Sequence, residues 1–341
     1  MAKKISILDI AKALGVSPTT VSFVLNGRAK EKRISERLEE QVLKYVNEIG
    51  YKPNSLARSL RTGKTNTIGL VVESISNTFF SNIARAIEDI AYANGYRILY
   101  SSTENSIERT RAILQMFADR QVDGYIISPP EGVEAEIQRL VEGKKPVVLF
   151  DRMIDKLGLD SVSINNEFSA YNATKVFLGN GYKLIACVTL DSRQQQMKDR
   201  EEGYVKALED SALSPIVYKA DFDISDDDFK NGFSSFLTQH AGIDAILFTT
   251  NYLAIKGLRH LRNMGYKVGE TFGLIAFDEH DLFELHQPPI TVIAQPIEEI
   301  AQKLIALLLD RLGTDRILEP QHLVLPTTLQ LRASSNKNLF R

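Results

Sequence analysis

Five side chains of the types that contact nucleic acids lie close together near the start of the chain. They are Thr19, Thr20, Ser22, Phe23 and Asn26. Hydroxyl and amide groups hydrogen-bond to phosphate oxygens and base edges, and an aromatic ring can touch a thymine methyl group. The apolar residues Val21, Val24 and Leu25 are interleaved with them at helical spacing. The pattern predicts a short helix that buries its apolar face and presents a polar face to DNA.

The residues before this helix predict another helix and a sharp turn. Ser6 and Asp9 have the spacing of a capping box, and Gly15 stands where the turn needs a positive φ. Ser17 then caps the second helix, with Pro18 at its first position, where a missing N–H costs nothing. Two short helices joined in this way form a helix-turn-helix, whose second helix enters the major groove of DNA. The alternative is an ordinary helical hairpin packed on a larger domain.

The distribution of charge favours the DNA-binding interpretation. Residues 1–66 hold 13 Lys and Arg against 6 Asp and Glu, a net charge of +7. The whole chain has 41 basic and 43 acidic residues, so the remainder carries a net charge of −9. A basic segment is attracted to the phosphate backbone, whereas an acidic body is repelled by it.

A third helix and a linker segment follow. The helix is predicted from its cap at Ser35 to about Ile49. Residues 51–64 can then form one more short helix, which begins at Pro53 or Asn54. Because so short a helix is marginal in water, we expect it to be disordered without DNA and helical with it.

Residues 67–333 alternate short apolar strands with helical stretches. Helices are predicted at 79–94 and 107–120, and strands at 67–72, 96–100, 124–128, 146–150, 161–164, 184–189, 216–218, 245–248, 273–276 and 291–293. Apolar strands separated by helices indicate parallel sheets covered on both faces. About 270 residues is long for one doubly wound sheet, so we expect two α/β lobes. Such lobes bind small ligands at the carboxyl ends of their strands.

The first part of the chain resembles the LacI/GalR family of bacterial transcriptional regulators. The matching residues are the helix-turn-helix, Gly-Tyr-Lys-Pro-Asn at 50–54 and Ala-Arg-Ser-Leu at 57–60. In that family the short segment is a hinge helix, which pairs with its twin from a second subunit and enters the minor groove. The resemblance implies that Leu60 is the wedge that opens the central base step, and that Ala57 and Arg58 lie on the same segment. An apolar wedge of this kind kinks the duplex.

The resemblance therefore implies a homodimer bound to double-stranded DNA at a pseudo-palindromic operator. The residues predicted to contact DNA are Ser6, Ser17, Pro18, Thr19, Thr20, Ser22, Phe23, Asn26, Asn54, Ala57, Arg58 and Leu60. Family members often carry Arg where this chain has Phe23. Arg can clamp guanine O6 and N7, whereas Phe can only touch a thymine methyl group or pack.

The resemblance extends over residues 67–333, on short motifs such as Ser-Asn-Thr-Phe-Phe at 76–80 and Phe-Asp-Arg at 150–152. It implies an all-α helix-turn-helix domain and a hinge helix, followed by a periplasmic-binding-protein-like α/β core of two doubly wound parallel-sheet lobes. The implied boundaries are 1–50 for the DNA-binding domain, 51–66 for the hinge helix and linker, 67–333 for the effector-binding and dimerisation core, and 334–341 for a tail. One lobe takes about 67–164 and 295–324, and the other takes about 165–294 and 325–333.

The effector pocket that the resemblance implies has six members. They are Phe79, Phe80, Asp151, Arg200, Asn251 and Asp278. Carboxylates accept hydrogen bonds from sugar hydroxyls, Arg and Asn donate to sugar oxygens, and an aromatic face packs on sugar C–H groups. The same residue types would serve a purine nearly as well. Tyr252 departs from the family pattern, because Asp commonly follows the Asn there.

The remaining sequence patterns predict neither a metal site nor a catalytic site. The acidic run at residues 221–228 begins like a calcium loop, but Asp226 occupies the position that needs Gly. The five His and the single Cys187 form neither a zinc spacing nor a nucleophile–base set. We therefore predict no enzymatic activity, no catalytic residues, no metal and no cofactor.

We expect a cytoplasmic protein that does not associate with a membrane. The start of the chain lacks the apolar segment of a secretory signal, and one Cys cannot form a disulfide framework. No apolar run approaches the ~20 residues of a transmembrane helix.

These observations predict a repressor whose operator affinity is controlled by a small-molecule effector, a sugar or sugar derivative, bound between the lobes. A purine-responsive regulator of the same fold is the first alternative. A solute-binding protein would explain residues 67–333 but not the basic N-terminal segment. An enzyme of sugar or nucleotide metabolism would need a catalytic constellation that the sequence lacks.

Overall fold

Three helices form the N-terminal part of the protein: α1 (Ile7–Leu14), α2 (Pro18–Leu25) and α3 (Glu36–Glu48). The computed structural model describes residues 5–51, 63–314 and 319–340. Contacts between residues divide the chain into two units, residues 1–65 and residues 66–341. The three helices belong to the first unit, and all the strands described below belong to the second.

The turn between α1 and α2 follows the predicted chemistry. The Asp9 backbone N–H donates to Ser6 Oγ at 3.3 Å, and the Ser6 backbone N–H donates to Asp9 Oδ2 at 2.9 Å, so the capping box is complete. Gly15 ends α1 with a φ of 66°, a conformation that Gly adopts without a steric cost. Ser35 stands at the cap position of α3, but its side chain makes no capping hydrogen bond.

One small apolar core holds the three helices together. Ile10 of α1, Val21 and Val24 of α2, and Val42 of α3 are each at most 2% exposed. Ala29, which follows α2, is buried in the same cluster. Removing these side chains from water stabilises the unit by about 25 cal/mol per Å² of apolar surface. This burial fixes which face of α2 points outward.

The second unit contains two six-stranded sheets. The first comprises β1 (Thr67–Val72), β2 (Arg97–Ser102), β3 (Gly124–Ile127), β4 (Val147–Phe150), β5 (Asp160–Ile164) and β11 (His322–Leu325). Its order is β11-β5-β4-β3-β1-β2, and every neighbouring pair is parallel. The helices between its strands are α4 (Thr78–Ala93), α5 (Ile107–Asp119) and α6 (Glu134–Glu142).

The second sheet repeats this plan. It comprises β6 (Ile185–Leu190), β7 (Ile216–Ala220), β8 (Ala245–Phe248), β9 (Gly273–Phe277), β10 (Thr291–Ala294) and β12 (Thr328–Gln330), in the order β12-β10-β9-β8-β6-β7. Its helices are α7 (Asn166–Gly179), α8 (Gln195–Glu209), α9 (Asp226–Gln239), α10 (Asn251–Asn263) and α11 (Asp281–Leu285). After β10 the chain returns to the first sheet through α12 (Ile297–Leu312), which packs against β3, β4 and β5.

The predicted fold class of two doubly wound lobes is confirmed. All ten strands predicted from apolar runs form, and their ends differ from the prediction by at most two residues. Two strands were not predicted, because β12 has only three residues and β11 has a single buried position. β12 also pairs antiparallel with β10, so the second sheet is not wholly parallel.

The chain end packs against the second sheet, whereas a tail was expected from residue 334. Ser334 and Ser335 are buried in a short 3₁₀ turn. Ser334 Oγ donates to the Leu274 carbonyl oxygen at 2.6 Å and accepts the Thr291 backbone N–H at 2.8 Å. These buried hydrogen bonds extend the packed lobe beyond residue 333.

Within the described ranges, no single helix has the length and apolar composition to cross a membrane. α1 and α2 meet that test only when taken as a pair, and they are bent by 109° where they join.

Candidate functional site

The outward face of α2 is ordered by local hydrogen bonds. Ser17 Oγ accepts the Thr20 backbone N–H at 3.0 Å and lies 2.8 Å from Thr20 Oγ1, which fixes the first turn. At the other end, Asn26 Nδ2 donates to the Ser22 carbonyl oxygen at 2.5 Å. The five side chains predicted to face outward are exposed or half-buried: Thr19, Thr20, Ser22, Phe23 and Asn26. The polar face of α2 is therefore turned away from the helical core.

Phe23 lies beside two cations. Arg28 Cζ is 5.8 Å and Lys32 Nζ is 5.5 Å from the centre of its ring. Both cations also pair with Glu31, Arg28 through two hydrogen bonds of 2.6 Å and Lys32 at 2.9 Å. The hydrogen bonds from Arg28 and Lys32 lower the pKa of the Glu31 carboxyl to about 2. This part of the surface therefore presents an apolar ring framed by charged groups.

The other residues predicted to contact DNA fall into two groups. Ser6 and Pro18 lie at the beginnings of α1 and α2. Asn54, Ala57, Arg58 and Leu60 lie outside the described residues.

A cavity lies where the carboxyl ends of strands from the two sheets meet, the place where doubly wound folds bind ligands. Five of the six predicted pocket residues line it: Phe79, Phe80, Asp151, Arg200 and Asp278. Asn251 does not line it, because its Nδ2 is turned to Asn77 Oδ1 at 3.0 Å and Thr78 Oγ1 at 3.2 Å. Since Asn251 begins α10 of the second lobe and Asn77 precedes α4 of the first, these bonds join the two lobes.

Two of the carboxylates that line the cavity come from opposite lobes. Asp151 directly follows β4 and Asp278 directly follows β9, with φ values of 64° and 67°. Residues other than Gly rarely adopt this left-handed conformation, and where they do the strain is concentrated at functional sites.

Arg200, on α8, is buried and held from three directions. Its Nε donates to Asn166 Oδ1 at 2.8 Å, and its Nη1 donates to the Thr249 carbonyl oxygen at 2.7 Å. Its guanidinium carbon lies 3.6 Å from the centre of the Phe277 ring. Burial lowers the pKa of the guanidinium, and the carboxylate of Asp278 opposes that shift. The side chain is thus preorganised to donate hydrogen bonds.

Burial also shifts the pKa of the Asp278 carboxyl. Burial raises its pKa to about 6, although the charge of Arg200 opposes the shift. Gln295 Nε2 also donates to Asp278 Oδ1 at 2.6 Å, which favours the ionised form. At neutral pH the carboxylate can therefore accept a hydroxyl hydrogen.

Aromatic rings form another wall of the cavity. Phe79 and Phe80 meet edge to face, with ring centres 4.9 Å apart. Tyr252, at a position where the family commonly has Asp, also lines the cavity, and burial raises the pKa of its hydroxyl. These rings can pack against the apolar face of a ligand.

The cavity also holds a buried ion pair that sequence reasoning missed. Glu73 follows β1 directly and Arg152 follows Asp151; they are 4% and 5% exposed and hydrogen-bonded to each other. Asn105 joins both, since its Nδ2 donates to Glu73 Oε2 at 3.1 Å and its Oδ1 accepts from Arg152 Nη1 at 2.6 Å. Burial raises the pKa of Glu73, and the charge of Arg152 opposes that shift. The available signal is the position of Glu73, which directly follows an apolar strand, as Asp151 and Asp278 do.

The cavity is narrow. Its volume is about 30 Å³, whereas ligand sites usually offer roughly 300–1,000 Å³. A second cavity of about 450 Å³ adjoins it and shares Leu190 and Gln194 as walls. A ligand the size of a sugar ring therefore requires the inner cavity to widen.

Both the helix-turn-helix unit and the two-lobed unit are similar to known protein families. A family profile described as bacterial regulatory proteins, lacI family, matches residues 6–54. A profile described as a periplasmic binding protein-like domain matches residues 174–335. A ribose operon repressor of Halalkalibacterium halodurans is 31% identical over 330 residues, which cover 97% of this chain and 97% of that protein. The chain belongs to the LacI family of bacterial regulatory proteins. As a LacI-family member it is a DNA-binding transcriptional regulator that responds to a small-molecule effector.

Other LacI-family relatives and solved structures agree with this assignment. The HTH-type transcriptional repressor PurR of Aliivibrio salmonicida is 29% identical over 311 residues, 90% of this chain and 92% of that protein. The Lac repressor dimer bound to operator and the anti-inducer ONPF has the same fold, with a TM-score of 0.85 at 22% identity over 98% of this chain and 99% of that one. A complex of the transcriptional regulator CelR with cellobiose has a TM-score of 0.71 at 25% identity, over 97% of this chain and 99% of that one.

Proposed function

We propose that this regulator is a homodimeric repressor whose affinity for a pseudo-palindromic operator is set by a sugar or sugar derivative bound between the two lobes. It works in the cytoplasm. The observation that carries the proposal is the pair of carboxylates, Asp151 and Asp278, which reach one cavity from opposite lobes beside Arg200. The polar and aromatic groups around them, among them Phe79 and Tyr252, support a hydroxyl-rich ligand.

The chemistry of the cavity suits a sugar. Ionised carboxylates only accept hydrogen bonds, and sugar hydroxyls are donors that can satisfy two lobes at once. Arg200 adds donors for ring and hydroxyl oxygens, and Phe79 or Tyr252 adds an apolar face for sugar C–H groups. The relative from Halalkalibacterium halodurans is named for a ribose operon, which supports the same ligand class.

The small volume of the cavity suggests how an effector could control operator binding. Because about 30 Å³ cannot hold a sugar ring, binding must favour an arrangement of the lobes other than the one described. A ligand that binds two arrangements with different affinities shifts the population between them. We propose that this shift decides whether the hinge segments of a dimer can pair in the minor groove, with the paired Leu60 wedges at the centre of the operator.

On the DNA side, α2 supplies the base-reading face. Its hydroxyl and amide groups are accessible, and the partly exposed ring of Phe23 can contact a thymine methyl group. The net positive charge of residues 1–66 provides the attraction to phosphates that makes such binding salt-dependent.

Two measurements on the full-length protein test the proposal. Selection from random duplex DNA should enrich a pseudo-palindromic sequence. A thermal-shift panel of pentoses, hexoses and disaccharides should contain a compound that stabilises the protein, by about 2.7 kcal/mol at 100 times its Kd. Adenine, guanine and hypoxanthine form the second arm of the panel. Stabilisation by a purine alone would overturn the sugar assignment, and failure to enrich any DNA sequence would overturn the operator assignment.

A further inference from the structure

Glu73 places a third carboxylate in the effector cavity. It directly follows β1 of the first lobe, as Asp151 directly follows β4. Its carboxyl group is buried, lines the cavity and is committed to Arg152 and Asn105. The charged residues that line the cavity are therefore three acids and two bases: Glu73, Asp151, Asp278, Arg152 and Arg200. When all five are ionised, the walls carry one excess negative charge.

Both bases already make polar contacts within the site. Arg152 donates to Glu73 and Asn105, and its Nε lies 3.5 Å from Asp151 Oδ2. Arg200 donates from Nε to Asn166 and from Nη1 to the Thr249 carbonyl oxygen. A phosphate group entering this cavity would meet an excess of buried carboxylate and would have to displace Glu73 from Arg152. Like charges at such short range in a poorly hydrated site repel strongly.

A hydroxyl group, in contrast, can form hydrogen bonds with the polar atoms of the cavity. Arg152 Nε and Gln196 Oε1 are both buried and have no hydrogen-bond partner among the described residues, and both side chains line this cavity. One is a donor and the other is an acceptor. A hydroxyl group donates one hydrogen bond and accepts others, so it can satisfy either atom without bringing a charge.

We infer that Glu73 is a specificity-determining residue, which makes the cavity select an uncharged polyhydroxyl effector and reject the phosphorylated form of the same compound. The inference rests on the proposed function and narrows its ligand class. Glu73 acts by occupying Arg152, the guanidinium that would otherwise be the natural partner of a phosphate.

The test compares each sugar with its own phosphate ester on the full-length protein. The probes are D-ribose and ribose 5-phosphate, D-glucose and glucose 6-phosphate, and inorganic phosphate alone, with affinity measured by calorimetry. For the wild type, a neutral sugar should bind at least tenfold more tightly than its ester, and inorganic phosphate should not stabilise the protein.

The substitution Glu73→Gln keeps the size of the side chain and removes its charge, which leaves Arg152 open to a phosphate. The preference for the neutral sugar should fall at least tenfold, and inorganic phosphate should raise the melting temperature of this variant. Glu134→Gln, at an exposed position of the same lobe, should behave as the wild type. If Glu73→Gln fails to fold, the wild-type comparison alone decides whether the cavity rejects phosphate esters.

Each contrary outcome has a distinct meaning. A phosphate ester that binds the wild type as tightly as its neutral sugar overturns the inference, and if it also changes operator affinity, the proposed function stands. An unchanged preference in a folded Glu73→Gln variant also overturns the role of Glu73. Binding of none of the probes overturns the inference, whereas the sugar assignment is decided by the wider panel of pentoses, hexoses and disaccharides.

Discussion

Asp151 and Asp278 occupy equivalent positions in the two lobes. Each follows a fully buried strand, each has a φ near 65°, and each donates its backbone N–H to the next strand, Asp151 to Val162 at 3.1 Å and Asp278 to Ile293 at 2.9 Å. Two lobes of the same design thus bring the same strained residue to one cavity from opposite sides. A ligand held by both carboxylates is sensitive to the distance between the lobes, which is the property that effector control requires.

The raised pKa of Asp278 predicts a pH-dependent stability. The carboxyl pKa is about 6 in the folded protein against an ordinary 3.8, so the folded state holds the proton more tightly than the unfolded state. Stability from this group is therefore present at low pH and is lost as pH rises from about 4 to about 6, by on the order of 3 kcal/mol. The variant Asp278→Asn has no carboxyl group at this position and does not lose this stabilisation. The difference in free energy of unfolding between Asp278→Asn and the wild type should therefore rise in favour of the variant from about pH 4 to about pH 6, as measured by urea denaturation.

An exposed substitution of the same kind, Asp223→Asn, is the control for the pH series. It should show no comparable trend. A difference between Asp278→Asn and the wild type that stays flat from pH 4 to pH 7 would contradict a raised pKa at this carboxyl.

Gly203 lies at a close approach between α7 and α8. A Cβ added there would overlap the Glu167 carbonyl oxygen and come within 2.9 Å of the Tyr171 backbone nitrogen. Gly→Ala inside a helix normally stabilises by about 1 kcal/mol, but overpacking against backbone costs about 1–3 kcal/mol or more. Gly203→Ala should therefore lower stability, whereas Gly179→Ala, where a Cβ meets open space, should not. Equal melting temperatures for the two variants would refute the close approach.

Phe23 predicts a thymine-dependent contact in the operator. Loss of one buried methyl group costs about 0.8 kcal/mol, roughly a fourfold change in affinity. Replacing thymine by uracil in the selected operator should weaken wild-type binding by about that factor at one position in each half-site. The same replacement should not affect Phe23→Ala, and Leu43→Ala, on the exposed side of α3, should keep the wild-type response. Uracil sensitivity that survives in Phe23→Ala would assign the contact to another residue.

The family resemblance predicts that Leu60, which lies outside the described residues, contributes to operator binding. Leu60→Ala should weaken specific operator binding in fluorescence anisotropy, because the wedge that opens the central base step is lost. Dimerisation and sugar binding should be unchanged, as checked by sedimentation and calorimetry. Unaltered specific affinity would contradict the wedge.

The helix-turn-helix and the strands were predictable from the sequence because their signals are local. The Ser6–Asp9 box, Gly15 and the apolar runs each report on a few neighbouring residues. The two missed strands lack that signal, since β11 is mostly exposed and β12 is very short. β12 forms because it adds to the edge of a sheet already built.

The cavity was predictable only in part, because its geometry depends on distant partners. Glu73 is buried by Arg152, 79 residues away, and by Asn105, 32 residues away. Asn251 illustrates the converse: its position in the chain suggests a ligand contact, but its amide is used to join the lobes through Asn77 and Thr78. No local pattern distinguishes these two outcomes.

The measurement that tests the account most directly is the operator affinity of the full-length protein with and without the stabilising sugar, at fixed salt. Saturating sugar should change the Kd for the selected operator at least fivefold, and operator should change the Kd for the sugar by the same factor. Asp278→Asn should bind operator but lose the response to sugar. An operator Kd that stays the same when the cavity is saturated would contradict control of DNA binding by the cleft.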